Sequence, residues 1–152
     1  MEIKQAGLLS KRSFTEILQD LLVDNNINAK KLAQAIGIDR TTIYEWINHN
    51  KYPYVKTLIK ICEYLKCSLD YILGRDEVNR YSSFKNKKID FINEFKRFQS
   101  INNVSLYRIV KDSGVTNSLT YDWLHKEVIP SVSSLIKLAD YFQCSVDELL
   151  GL

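Results

Sequence analysis

The sequence predicts an all-α fold of two tandem five-helix bundles, and two observations carry that prediction. The first is the stretch Leu32-Ala33-Gln34-Ala35-Ile36-Gly37-Ile38-Asp39-Arg40-Thr41-Thr42-Ile43-Tyr44-Glu45-Trp46-Ile47, where two short helical patterns meet at a glycine. The second is that the same arrangement returns 77 residues later without a gap. Gly37 pairs with Gly114, Tyr44 with Tyr121, Trp46 with Trp123 and Pro53 with Pro130. Leu58-Ile59-Lys60 matches Leu135-Ile136-Lys137, Cys67-Ser68 matches Cys144-Ser145, and Leu73-Gly74 matches Leu150-Gly151. One constant offset from Phe14 and Phe91 onward reads as a duplicated domain. The expected layout is a first domain over residues 1–74 with an N-terminal arm, a linker over 75–87 and a second domain over 88–152.

The elements follow in order. Residues 1–12 mix Lys with small apolar residues and read as an arm with a short helical turn at Ala6–Leu9. Ser13 is the expected N-cap of a first helix whose Phe14, Ile17, Leu18 and Leu21 form an apolar stripe ended by Asn25-Asn26. Asn28 caps a second helix burying Leu32, Ala33 and Ile36, with Lys30 and Lys31 toward water, and Gly37 terminates it. Asp39 caps the third, which buries Ile43, Trp46 and Ile47 and leaves Arg40, Thr41, Tyr44, Glu45 and Asn48 on the open face. A helix, a tight turn and a helix carrying donors outward is the layout of a helix-turn-helix. Pro53 disfavours helix at Tyr52. Val55, Leu58, Ile59, Cys62 and Leu65 mark a fourth helix, and Ser68 caps a short fifth one stopped by Gly74. Residues 75–87 are polar and aperiodic, with Tyr81 and Phe84 available to pin them to one domain. The second unit predicts helices near 88–99, 105–112, 117–125, 132–143 and 145–150, its core beginning with Ile89, Ile92, Phe95 and Phe98.

Length and charge bound the reading. The chain has 152 residues and 45% hydrophobic content, enough for two modest cores. Net charge is +3, but residues 1–75 hold 11 Lys/Arg against 8 Asp/Glu, while residues 88–152 hold 7 against 8. The first unit is therefore better suited to phosphate. Cys62, Cys67 and Cys144 show neither CxxC nor disulfide spacing and read as small buried hydrophobes. The opening Met1-Glu2-Ile3-Lys4 leads into no long apolar run, so no secretion signal and no membrane span are expected, and the cytoplasm is the expected location.

These residues resemble a known family, the phage lambda repressor/Cro-like helix-turn-helix proteins, also called the xenobiotic-response-element type. The most specific match is Leu32-Ala33…Gly37-Ile38-Asp39-Arg40-Thr41-Thr42-Ile43…Trp46…Pro53…Leu58…Ile61, closing with Leu65-Lys66-Cys67-Ser68-Leu69-Asp70. The resemblance implies five-helix bundles whose third helix enters the DNA major groove. Departures are visible. The family's Thr-Gln pair opening the second helix is Asn28-Ala29 here and Ser105-Leu106 in the second unit. A buried Arg–Glu pair found in many members is replaced by Leu22 and Ile47, which a packed core accepts at little cost, and by Gln99 and Leu124 in the second unit. Thr120 stands where an aliphatic residue is usual and Leu119 where a small polar one is, so a register shift or a distorted third helix is an open expectation there.

A helix in the major groove offers its N-terminal residues to base edges. Arg40 suits guanine O6/N7, Glu45 cytosine N4, and Thr41 either a base acceptor or a thymine methyl. Thr42, Tyr44, Asn48 and Lys51 suit phosphate or sugar contact, which sets register rather than sequence. In the second unit the corresponding candidates are Asn117, Ser118, Tyr121, Asp122 and Lys126, with Asp122 and Glu127 opposing phosphate. The plainer reading of Arg40 and Glu45, solvated charges on an ordinary helix, stands beside this one. Trp46 and Trp123 read as core.

No cofactor, metal or catalytic centre is expected: His49 and His125 do not align, and no Gly-rich phosphate loop is present. The leading expectation is a sequence-specific regulator of double-stranded DNA, bacterial or phage in type, its two domains acting as a pseudo-dimer. The alternative is a protein-interaction module, antitoxin-like or a dimerising scaffold, motivated by the acidic second unit. Self-association is open, and an enzyme is a distant third.

Overall fold

The computed structural model describes residues 12–152, so the helical turn expected at Ala6–Leu9 lies outside the described residues. The chain divides into two units, Met1–Ser83 and Phe84–Leu152. Among the described residues every regular element is a helix. The first unit holds α1 (Phe14–Asp24), α2 (Ala29–Ile36), α3 (Arg40–His49), α4 (Val55–Leu65) and α5 (Leu69–Ile72). The second holds α6 (Phe91–Ile101), α7 (Leu106–Ser113), α8 (Asn117–Lys126), α9 (Val132–Phe142) and α10 (Val146–Leu149). Each second-unit helix begins and ends 77 residues after its counterpart, so the sequence offset is also an offset of backbone conformation.

Local chemistry sets these bounds. Ser13, Asn28, Asp39 and Ser68 each take extended backbone and accept a hydrogen bond from an orphan N–H of the first turn that follows. Ser105, Thr116, Ser131 and Ser145 do the same in the second unit. Asp90, ahead of α6, makes no side-chain cap, and α6 starts later than the sequence pattern predicts. Gly37 closes α2 at φ +76, its N–H returning to the Ala33 carbonyl at 2.9 Å.

The first core is aliphatic: Leu18, Leu32, Ile43, Leu58, Ile61, Leu69 and Ile72 are all at most 1% exposed. Phe14 seals its edge against Trp46 in an edge-on contact, with ring centroids 6.5 Å apart. Each such side chain stabilises the unit by roughly 1.5–3 kcal/mol relative to exposure. The second core adds an aromatic cluster to buried Ile109, Leu135 and Leu138. Phe91, Phe95 and Trp123 meet edge to face or tilted, and Phe142 joins Phe95 and Phe98. Ile89 and Ile92, expected to open this core, are only half-buried, because the α6 face turned inward is Phe91, Phe95 and Phe98. Ile47 is likewise half-buried rather than core.

Residues expected to form a bare linker belong in part to the first unit. Asn79 accepts from the Ser68 N–H at 3.0 Å and donates to the Lys66 carbonyl at 2.9 Å. The Tyr81 and Ser83 hydroxyls both donate to the Glu63 carboxylate on α4. Asp70 and Arg75 form an ion pair at 2.6 Å, with side chains 12% and 13% exposed. Asp70 is thus more than the first-turn acid that its place after Ser68 suggests.

Candidate nucleic-acid interface

The turn between α2 and α3 fixes the start of the candidate reading helix. Asp39 Oδ1 accepts from both the Thr41 N–H and the Thr41 hydroxyl, each at 2.9 Å. Those two bonds, with the nearby Arg40 charge, hold the Asp39 carboxyl below its ordinary range. Ile43 and Trp46 then bury one side of α3 (0% and 5% exposed), which turns the opposite side to solvent.

Tyr44 and Asn48 on that open side, and Arg40 and Thr42 on its flanks, are exposed, and their side chains make no hydrogen bond or ion pair with any described residue. Glu45 is also exposed, with Lys51 Nζ at 3.7 Å from one carboxylate oxygen and His49 Nε2 at 3.9 Å from the other. The Thr41 hydroxyl donates to Asp39, so what Thr41 offers outward is its oxygen lone pairs and its methyl, not the donor expected from sequence. Glu45 and His49 sit one turn apart on α3. Among the described residues no three His, Cys, Asp or Glu side chains group to hold a metal.

The second unit builds the same frame with different side chains. α8 has the same ten-residue length as α3, so the register shift or distortion expected from Thr120 and Leu119 does not occur. Thr120 is 1% exposed and satisfies its hydroxyl on the Asn117 carbonyl at 2.9 Å, which lets a polar side chain fill the Ile43 position. Leu119 faces solvent at 39% exposure. Asn117 is exposed with its amide unengaged by described residues. Ser118 shares a hydrogen bond with Thr116 at 3.2 Å. Tyr121 stacks on His125 with ring centroids 4.1 Å apart, and Lys126 pairs with Asp122 at 3.2 Å. Trp46 and Trp123 are core residues in both units, at 5% and 2% exposure. All three cysteines are buried and none forms a disulfide. No helix among the described residues is long and apolar enough to cross a membrane.

A capped helix, an αL glycine turn and a second helix with one face buried and the other open define a helix-turn-helix protein. Comparison with known proteins places it within that class. The Cro/C1-type HTH DNA-binding domain family matches residues 18–77 and 96–152, and the chain belongs to this family. A stretch of 74 residues, 49% of the chain, is 27% identical to the HTH-type transcriptional activator BcrR of Enterococcus faecalis. That match spans 36% of the relative, about a third of its length. No solved structure matches. The chain accordingly carries helix-turn-helix domains of the Cro/C1 DNA-binding type.

Proposed function

We propose that the chain is a sequence-specific transcriptional regulator of bacterial or phage type, built as two tandem lambda repressor-like bundles that act as a pseudo-dimer on double-stranded DNA. In this reading α3 lies in the major groove. Arg40 pairs with guanine, Glu45 accepts from cytosine, and the Thr41 methyl packs on thymine. Thr42, Tyr44, Asn48 and Lys51 hold the backbone, and Asn117, Ser118, Tyr121, Asp122 and Lys126 take the matching places on α8. The carrying observation is the set of exposed, unengaged polar side chains at Arg40, Thr42 and Asn48 on the helix that buries Ile43 and Trp46. The chain is proposed to work in the cytoplasm without a cofactor.

A second reading is favoured by a specific difference at α8. There Lys126 is paired with Asp122, Leu119 is exposed, and residues 88–152 carry one more acid than base. In that reading the second unit serves a protein contact, self-association included, while the first unit binds DNA. Selection of binding sites from a random duplex pool, followed by a salt titration on the selected site, tests the proposal. Two half-sites and a log–log salt slope of several units support it. A single half-site favours the second reading, and binding indifferent to salt rejects both.

A further inference from the structure

The two ends of α3 are held by different means. Its start is fixed by Asp39 and the glycine turn. At its other end Asn50 adopts φ +51, yet its backbone N–H makes no return bond to the last turn. The left-handed caps of α2 and α4 do make that bond, to the Ala33 and Cys62 carbonyls. What holds Asn50 is its side chain: Oδ1 accepts from the hydroxyl of Thr15 at 3.3 Å. Thr15 is 9% exposed on α1, and its oxygen lies 3.1 Å from Ser13 Oγ, the α1 cap. Nearby, Phe14 touches both Trp46 and Tyr52, with ring centroids 6.5 and 5.9 Å away. The equivalent positions in the second unit are Ile92 and Glu127, and an isoleucine has no donor to offer. α8 ends with neither return bond nor tether of this kind.

We propose that Thr15 and Asn50 are positioning residues for DNA reading by the first unit: their hydrogen bond anchors the free end of α3 to α1 and so fixes the tilt at which Arg40 meets a base. This rests on the groove reading above. A ten-residue helix is about 15 Å long. With the Asp39 end pinned, a small swing of the Asn50 end changes the tilt of the helix, which alters the angle at which Arg40 leaves its first turn and displaces Glu45 further along, enough to degrade bidentate contacts. The bond touches no nucleotide itself, so its removal is expected to lower discrimination more than total affinity.

The test compares wild type, Thr15→Val, Thr15→Ser and Asn50→Gly in the full chain. Valine keeps the buried shape of Thr15, and glycine keeps the αL backbone of Asn50, so both variants are expected to fold. The readout is the ratio of affinity for the selected site to that for mixed-sequence duplex, with amide exchange at residues 47–50 measured without DNA. Thr15→Val and Asn50→Gly are expected to lower the ratio about fivefold, the worth of one hydrogen bond, and to speed exchange. Thr15→Ser restores both, and the Thr15→Val effect shrinks in an Arg40→Ala background. Wild-type ratio and exchange in Thr15→Val overturn the proposal. A wild-type chain that selects no sequence overturns the groove reading together with the positioning role, and the exchange arm then shows separately whether the tether restrains α3.

Discussion

The buried hydroxyl of Thr120 donates to the carbonyl of Asn117 within the first turn of α8, at 2.9 Å. Thr120 therefore occupies the place of Ile43 without leaving a buried donor unsatisfied. A hydroxyl bonded back into its own helix adds little net stability, since the carbonyl also serves the helix ladder. Thr120→Val is accordingly expected to stay within about 1 kcal/mol of wild type. Thr120→Ala, which removes a buried methyl as well, should cost about 1 kcal/mol or more. Urea denaturation followed by Trp123 fluorescence in a Trp46→Phe background measures both. A loss above about 2 kcal/mol in the valine variant would show that the hydroxyl has a stronger role than this bond.

Two glycines with the same backbone conformation predict different mutational costs. Gly37 and Gly74 lie at φ +76 and φ +74. A Cβ on Gly37 meets nothing within 4 Å, whereas one on Gly74 collides with the Arg12 carbonyl. Gly37→Ala should cost only the left-handed penalty, roughly 1–2 kcal/mol. Gly74→Ala should cost more, because backbone must also move, and the excess should vanish from hydrogen exchange if Arg12 simply detaches. Thermal denaturation of the two variants side by side checks the ordering, and equal losses would contradict it.

Much of this organisation was legible because it is written locally. Caps such as Ser13, Asn28 and Asp39, terminators such as Gly37, and apolar stripes at helical spacing act over four residues or fewer. The bonds that were not legible join residues with no periodic relation. Thr15 reaches Asn50, Glu63 collects Tyr81 and Ser83, and Asp70 meets Arg75 beyond the end of α5. Spacing could not announce them, because tertiary placement brings them together. At the candidate interface, exposure of Arg40 and Asn48 followed from helical phase. The diversion of the Thr41 hydroxyl to Asp39 did not, since a threonine just inside a helix has two uses for its donor.

The Asp70–Arg75 pair predicts a stability effect confined to the first unit. Both side chains are largely shielded, so deleting the guanidinium removes the opposite charge from a carboxylate in a poorly hydrated place. Arg75→Ala should destabilise the first unit by about 2–3 kcal/mol, while Asp70→Asn with Arg75→Met should recover part of that loss. Hydrogen exchange resolved by unit locates the effect. Wild-type protection of the first unit in Arg75→Ala would indicate that the pair contributes nothing.

Asp39 links stability to pH. Its folded carboxyl is depressed by the Thr41 N–H, then by the Thr41 hydroxyl, with the Arg40 charge a smaller cause. A depressed folded value means that this contribution is complete above the ordinary value of 3.8 and is lost as pH falls through the folded one. Asp39→Asn retains a capping oxygen but cannot ionise. Between about pH 5 and pH 2 the wild-type melting temperature should therefore fall more steeply than that of Asp39→Asn. Parallel curves would mean that the cap does not depend on its charge.

Arg40 and Asn117 stand at equivalent first positions of α3 and α8 and provide the sharpest comparison of the two units. Arg40 is a cation engaged by no described residue except through the neighbouring Asp39 charge, with a fork that fits a guanine edge. Arg40→Ala should cost about 1–3 kcal/mol on the selected site and relax one base position. Asn117→Ala should do the same at a second position if the two bundles read DNA together. Lys51→Ala, by contrast, should weaken every sequence alike and lower the salt slope by about one. Binding-site selection repeated with each variant checks all three outcomes. If Arg40→Ala relaxes nothing while Lys51→Ala still weakens binding, α3 lies on the backbone rather than in the groove.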